Sequence, residues 1–233
     1  MAFDKLDYRL EDRVAVITMD DGKVNALSHE MIDALHAALT RAEEEAGAVV
    51  LTGRPERLSG GFDLKAMTAG AESAQRLVTA GAELVLRLYE FPRPVVAACN
   101  GHALAAGAIL LLVSDLRIGA TGAYKIGLNE VAIGLPLPIF ATELARDRLS
   151  KRWFSASVTQ AHIFDPEGAR EAGYLDLTVT PDTLRAAAVA RGETLAALPV
   201  HAFSRTKLNE RRRTIQYIRE TLKDDIALLT GVP

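Results

Sequence analysis

The chain has 233 residues, 49% of them hydrophobic and 24% charged, with 27 Lys and Arg against 30 Asp and Glu. Those fractions are ordinary for a globular protein, and a formal charge of −3 excludes a strongly basic nucleic-acid binder and an acidic disordered tail. A single cysteine, Cys99, excludes an intrachain disulfide and a cysteine-built metal site, and it suits a reducing cytoplasm.

The opening residues, Met1 to Asp7, carry acids and no apolar stretch, so they do not read as a secretory signal. Residues 14–19 are a β-branched apolar run ended by Asp20-Asp21-Gly22, a strand and a turn. Ser28 caps a helix in which Met31, Leu35, Leu39 and Ala42 recur at helical spacing, and Gly47 closes it. Residues 48–52 form a second buried strand, and Gly53-Arg54-Pro55 and Ser59-Gly60-Gly61 read as loop. A helix follows over 71–89, stopped by Pro92 and Pro94, and then a strand over 94–99. The apolar run 103–113 after Asn100-Gly101 reads as one buried helix, too short to cross a bilayer, and 115–120 as another strand. This alternation predicts an α/β core over 1–137. In 138–233 helices dominate, with cap-plus-proline starts at Asp165-Pro166 and Thr180-Pro181 and a stop at Gly173.

There is no phosphate-binding glycine loop, no nucleophile elbow and no His-Glu-x-x-His in the chain. The five histidines lack metal-ligand spacing and read as surface or capping residues; His102 differs in sitting at a strand-to-helix turn. Two glycine-bearing turns follow strands, at Ser59-Gly60-Gly61-Phe62-Asp63-Leu64 and at 100–107. Glycine allows φ > 0 and leaves the backbone open to a ligand, and unpaired N–H groups at a helix start favour negative charge. Two such donors converging on one point make an oxyanion hole; tight turns with no chemical role fit the same residues. Glu130 is the lone acid in an apolar stretch, 124–136. Buried, its carboxyl would have a raised pKa suited to proton transfer; exposed, it is a surface glutamate on a turn.

Taken in order, several segments resemble the crotonase superfamily, the enoyl-CoA hydratases and isomerases. They are Asn25-Ala26-Leu27, the Ser-x-Gly-x-Asp-Leu loop, Pro94 to Gly101, Asp115-Leu116-Arg117, and Phe164-Asp165 with Ala172-Gly173-Tyr174-Leu175-Asp176. The resemblance covers essentially the whole chain and is closest, in its active-site pattern, to Δ3,Δ2-enoyl-CoA isomerases. It implies a ββα spiral core and a helical C-terminal region that makes a homotrimer or a dimer of trimers. It also implies an acyl-CoA thioester as substrate, with no further cofactor, no metal and no membrane insertion. The carbonyl would be held by the backbone N–H groups of Phe62 and Ala106. Phe62, Asp63, Leu64 and Lys65 would line the CoA site, with Ala26 at the adenine-pantetheine bend and Phe62 narrowing the pocket.

Hydratases of this family use two glutamates. Carried over by position, the first is Ile109 here and the second is Glu130. Isoleucine can neither hold nor deprotonate water, whereas shifting a double bond needs one carboxyl group and an oxyanion hole. The reading is therefore an isomerase, with Ile109 beside the reacting carbons. A hydratase, a thioester hydrolase and a non-catalytic acyl-CoA-binding protein are the rival readings. Arg211, Arg212 and Arg213, with Lys207 and Arg205, read as a solvated helix face or as partners of CoA phosphates. Cys99 reads as core, and Asp63 and Asp115 as anchors for backbone N–H groups.

Overall fold

The computed structural model describes residues 4–230. A hairpin opens the chain: β1 (Leu6–Glu11) pairs antiparallel with β2 (Val14–Met19), and Asp12 makes the turn at φ 49°, a conformation aspartate tolerates. From β2 a parallel sheet grows through β3 (Ala48–Gly53), β5 (Val95–Cys99), β7 (Leu116–Ala120) and β9 (Leu177–Val179), in the order β1-β2-β3-β5-β7-β9. The strands between these, β4 (Glu56–Ser59), β6 (Gly101–Leu104) and β8 (Ile126–Gly127), form a second parallel sheet, in the order β4-β6-β8.

The parallel strands β2, β3, β5 and β7 of the large sheet are buried on both faces, as parallel sheets are. Alternate residues therefore enter different cores. Ala15, Ile17, Val49, Leu51, Val95, Ala97 and Cys99 join the main core, shared with α1 (His29–Glu45), α3 (Ala71–Glu90) and α4 (Ala106–Val113). Val14, Val16, Val50, Val96, Ala98 and Ile118 meet Leu184 and Ala188 of α8 (Leu184–Ala196) on the other face. Both faces being apolar is why these strands show as unbroken apolar runs in the sequence.

Each repeat thus gives one strand to the large sheet, the next to the small sheet, and then a helix. The pairs are β3 and β4 before α2 (Leu64–Thr68) and α3, and β5 and β6 before α4. The pair β7 and β8 leads instead into a 3-10 turn at Val131–Ile133. This is the ββα spiral that the resemblance implied.

Several features differ from the sequence reading. The run 103–113 is not one helix. β6 occupies its start, Ala105 breaks the chain at φ 52°, and α4 begins only at Ala106. Neither glycine nor proline marks that break, and an alanine held in so sparsely populated a backbone region costs about 1–3 kcal/mol. Gly47 does not cap α1, whose end at Ala46 is extended; a Cβ on Gly47 would lie 2.8 Å from Ala196 Cβ, so the glycine lets α8 approach. Finally, Thr180-Pro181 opens a turn rather than α8, which starts after Thr183.

Beyond 138 lie α5 (Ile139–Arg148), α6 (Lys151–Val158), α7 (Pro166–Ala172), α8 and the long α9 (Val200–Thr230). The Asp165 side chain caps α7 through Gly168 N, and Gly173 closes it at φ 101°. α9 packs on α3 and α5. Its cations Lys207 and Arg211 are buried, with both side chains on the Asp115 carboxylate at 2.8 Å. Arg211 also donates to the Tyr89 carbonyl at 2.8 Å. These two residues are therefore neither a solvated face nor free for CoA phosphates, because they fasten α9 to the strand end at Asp115. Arg205, Arg212 and Arg213 are exposed. Among the described residues, no helix is long and apolar enough to cross a membrane.

Candidate active site

Three neighbouring parallel strands, β4, β6 and β8, end on the same edge of the small sheet. The segments that leave them carry Phe62, Ala106 and Glu130. Ligands of parallel α/β folds gather at the carboxyl ends of strands, and here the topology alone brings the three segments together.

Close backbone packing locks the first two. Gly61 sits at φ 99°, and a Cβ there would lie 2.8 Å from Ala105 Cβ and 3.4 Å from the Ala106 nitrogen. A Cβ on Gly107 would lie 2.3 Å from the Ser59 carbonyl oxygen. The loop after β4 thus lies directly against the start of α4, and only glycine permits that approach.

The flanking hydrogen bonds are all internal. Leu27 N–H donates to the Gly61 carbonyl (2.8 Å), Asp63 N–H to Leu27 (3.3 Å), and Ala105 N–H to Gly127 (3.1 Å). Within the described residues, no acceptor takes the N–H of Phe62 or of Ala106. Ala106 is the first residue of α4, so its N–H also carries the positive end of that helix.

The Phe62 ring is half-buried and turned toward α3: a Cβ on Gly81 would lie 2.2 Å from Phe62 Cε1. Gly81 is thus the notch that receives the ring. Asp63 caps α2 by accepting the Lys65 N–H at 3.1 Å, while Leu64 and Lys65 are exposed.

Ala26 lies in a loop held by buried amides. Asn25, at φ 53°, donates through Nδ2 to the carbonyls of Met19 (3.0 Å), Arg57 (3.1 Å) and Leu58 (3.1 Å). Burial would raise the Asp21 carboxyl, but N–H bonds from Asn25, Ala26 and Lys23 outweigh it and hold the carboxyl below its usual range. Asn100 ties the turn after β3 to the turn after β5, donating to Gly53 O (2.9 Å) and accepting from Gly53 N (3.1 Å). Both asparagines stand in the quoted motifs, and the structure supplies their work: Asn25 ties the loop that carries Ala26 to β4, and Asn100 ties the end of β3 to the turn before β6.

Glu130 opens the 3-10 turn at Val131–Ile133. The residue as a whole is half-buried, but its Oε2 is shut off from solvent with no hydrogen-bond partner. Burial pushes its carboxyl up to about 7, opposed only by its own backbone N–H. Next to it Val131, Ile133 and Leu135 are exposed at 44%, 53% and 38%, an apolar surface beside the acid. Ile109 is buried in the main core, one turn into α4.

His102 has a structural post: its Nδ1 accepts the Lys125 N–H at 3.0 Å and its ring meets Tyr124 edge-on. Cys99 is buried core, its thiol pushed up by burial to about 12. Clefts of about 500 and 450 Å³ run along α9, and neither is lined by Phe62, Ala106 or Glu130.

The sequence pattern of the family described as Enoyl-CoA hydratase/isomerase matches residues 9–230. The chain belongs to that family. It is 36% identical over 140 residues to a probable enoyl-CoA hydratase of Bacillus subtilis, a match covering 58% of this chain and 54% of that one. The chain therefore spans about half the length of that relative. A solved enoyl-CoA hydratase/isomerase family protein from Pseudomonas syringae superposes with a TM-score of 0.95 at 45% identity, covering 97% of this chain and 98% of that one. An enoyl-CoA isomerase of Mycobacterium tuberculosis superposes with a TM-score of 0.92 at 41% identity, over 97% and 98% of the two chains. The relatives carry both hydratase and isomerase names, so the choice between those reactions rests on the site.

Proposed function

We propose that this member of the family is a Δ3,Δ2-enoyl-CoA isomerase working with one carboxyl group, Glu130. The observation that carries the reading is the pairing of Glu130, whose Oε2 is buried without a partner, with a buried isoleucine at the position of the first hydratase glutamate. In this mechanism the Glu130 carboxylate removes a proton from C2 of a 3-enoyl thioester. The electrons move into the carbonyl, and the dienolate oxygen accepts the N–H groups of Phe62 and Ala106. The protonated Glu130 then returns the proton at C4, which leaves the double bond between C2 and C3.

A carboxyl raised to about 7 is near half-protonated at neutral pH, suited to taking and giving the same proton. The exposed Val131, Ile133 and Leu135 supply an apolar surface for an acyl chain. Ala26, Asp63, Leu64 and Lys65 belong to the CoA side of the proposed site. The reaction needs no cofactor beyond the thioester itself. A homotrimer or dimer of trimers, a division at residue 138 between core and oligomerising region, and a cytoplasmic setting complete the proposal.

The test is to give the purified protein a 3-enoyl-CoA and, separately, a trans-2-enoyl-CoA. The account expects conjugated product from the first, falling by roughly 10²–10⁴-fold in Glu130→Gln. Water addition to the second, faster than isomerisation of the first, would replace the isomerase with a hydratase. Binding without turnover of either would make the protein a non-catalytic acyl-CoA binder.

A further inference from the structure

Behind Glu130 the fold gathers polar atoms that find no partner. Ser157 of α6 and Tyr174, after α7, are both fully buried, and their hydroxyl oxygens take part in no well-formed hydrogen bond. Glu130 Oε2 and the neighbouring Asn129 Oδ1 are buried and unpartnered as well.

The Tyr174 hydroxyl, Ser157 Oγ and the Glu130 carboxylate share one place. The Tyr174 hydroxyl lies near Ser157 Oγ and the Leu128 backbone; burial raises its pKa first, Ser157 and Leu128 lower it, and the Glu130 carboxylate raises it further. Buried polar atoms are nearly always hydrogen-bonded, so a cluster of orphans next to a reacting group calls for a role. The Tyr174 ring is fixed independently of its hydroxyl, packed against Phe164 with centroids 5.8 Å apart. The phenol is thus placed by packing rather than by its hydroxyl, and it comes from the segment after α7, far along the chain from the proposed oxyanion loops.

We propose that Tyr174, backed by Ser157, is a positioning residue for Glu130. Its hydroxyl donates to Oε2 once an acyl chain covers the site, leaving the other carboxyl oxygen to move the proton between C2 and C4. This rests on the single-carboxyl reading above. Hydrogen bonds at unliganded active sites are often long and tighten only with substrate bound, which accounts for an Oε2 without a partner here. The donor stabilises the carboxylate over the acid, so it also sets how far burial raises Glu130. Orientation of one carboxyl plane matters for this reaction because the same group must reach two carbons in turn.

The experiment compares Tyr174→Phe, which keeps the ring packing, with wild type on a 3-enoyl-CoA across pH, with melting curves alongside. The expected result is a fall in kcat of about tenfold, what one hydrogen bond to a charged group is worth. KM should be little changed, and the acid limb of the kcat profile, which reports the substrate complex, should move to higher pH. A folded Tyr174→Phe with unchanged kcat and an unmoved acid limb overturns the proposal. Should Tyr174→Phe fail to fold, Ser157→Ala decides instead: a smaller loss in the same direction supports the relay, and wild-type behaviour overturns it. Glu130→Gln separates this inference from its parent. Full activity there removes the single-carboxyl reading and this inference with it, whereas loss there beside a silent Tyr174→Phe removes this inference alone.

Discussion

Asp115 and Glu130 are both carboxylates held away from water, and the protein surrounds them in opposite ways. Asp115 receives the Val95 N–H, Lys207 Nζ and Arg211 Nη2, each at 2.8 Å. Glu130 has an Oε2 with no donor at all and an apolar surface beside it. At Asp115 the carboxylate is neutralised, and even so burial pulls Lys207 down to about 8 against that attraction. At Glu130 only its own backbone N–H offsets burial, so the proton stays on to about pH 7. The difference teaches how to tell an anchor from a reactive group. A satisfied acid holds elements together, and an acid with a buried, unpartnered oxygen is the kind of group the proposed proton transfer requires.

The comparison breaks most visibly at the anchor. Asp115→Ala would leave Lys207 and Arg211 buried without their counter-charge, at a cost of roughly 3–5 kcal/mol. Chemical denaturation should show that loss, and a change within experimental error would mean the cluster does not hold α9. The opposite sign is expected at Glu130. Its folded pKa lies above the unfolded value, so the native state holds the extra proton and stability falls as pH rises from about 4.5 through about 7. Glu130→Gln should therefore be more stable than wild type at pH 8, by on the order of 2 kcal/mol, with no gain at pH 4. A variant destabilised at pH 8 would show that the carboxylate has partners in the folded state.

How much of this could be read beforehand depended on burial. β2, β3, β5 and β7 lie in a sheet covered on both faces and stand out as apolar runs. β1 has one face in solvent and begins Leu-Asp-Tyr-Arg, β4 begins Glu-Arg, and β8 and β9 have only two and three residues, too short for a periodic signal. β6 was hidden inside the apolar run that α4 continues, because the break between them is an alanine. At the site, the two glycine turns and Glu130 were legible as local patterns, and the family resemblance ordered them. Gly81 and Ser157 were not, and Tyr174 stood in a quoted segment with no role of its own. Each is tied to a residue distant in sequence: Gly81 receives the Phe62 ring, and the two hydroxyls are proposed to serve Glu130. Such roles leave no spacing to find.

The central claim is that one buried carboxyl group carries the chemistry. Its most direct test is the pH dependence of kcat/KM for a 3-enoyl-CoA, which reports the ionisation of the free enzyme. The account predicts activity that rises with pH through a single ionisation near 7, as Glu130 loses its proton, and that is abolished in Glu130→Gln. An acid limb at the ordinary carboxyl range, or a profile flat through neutrality, would contradict it.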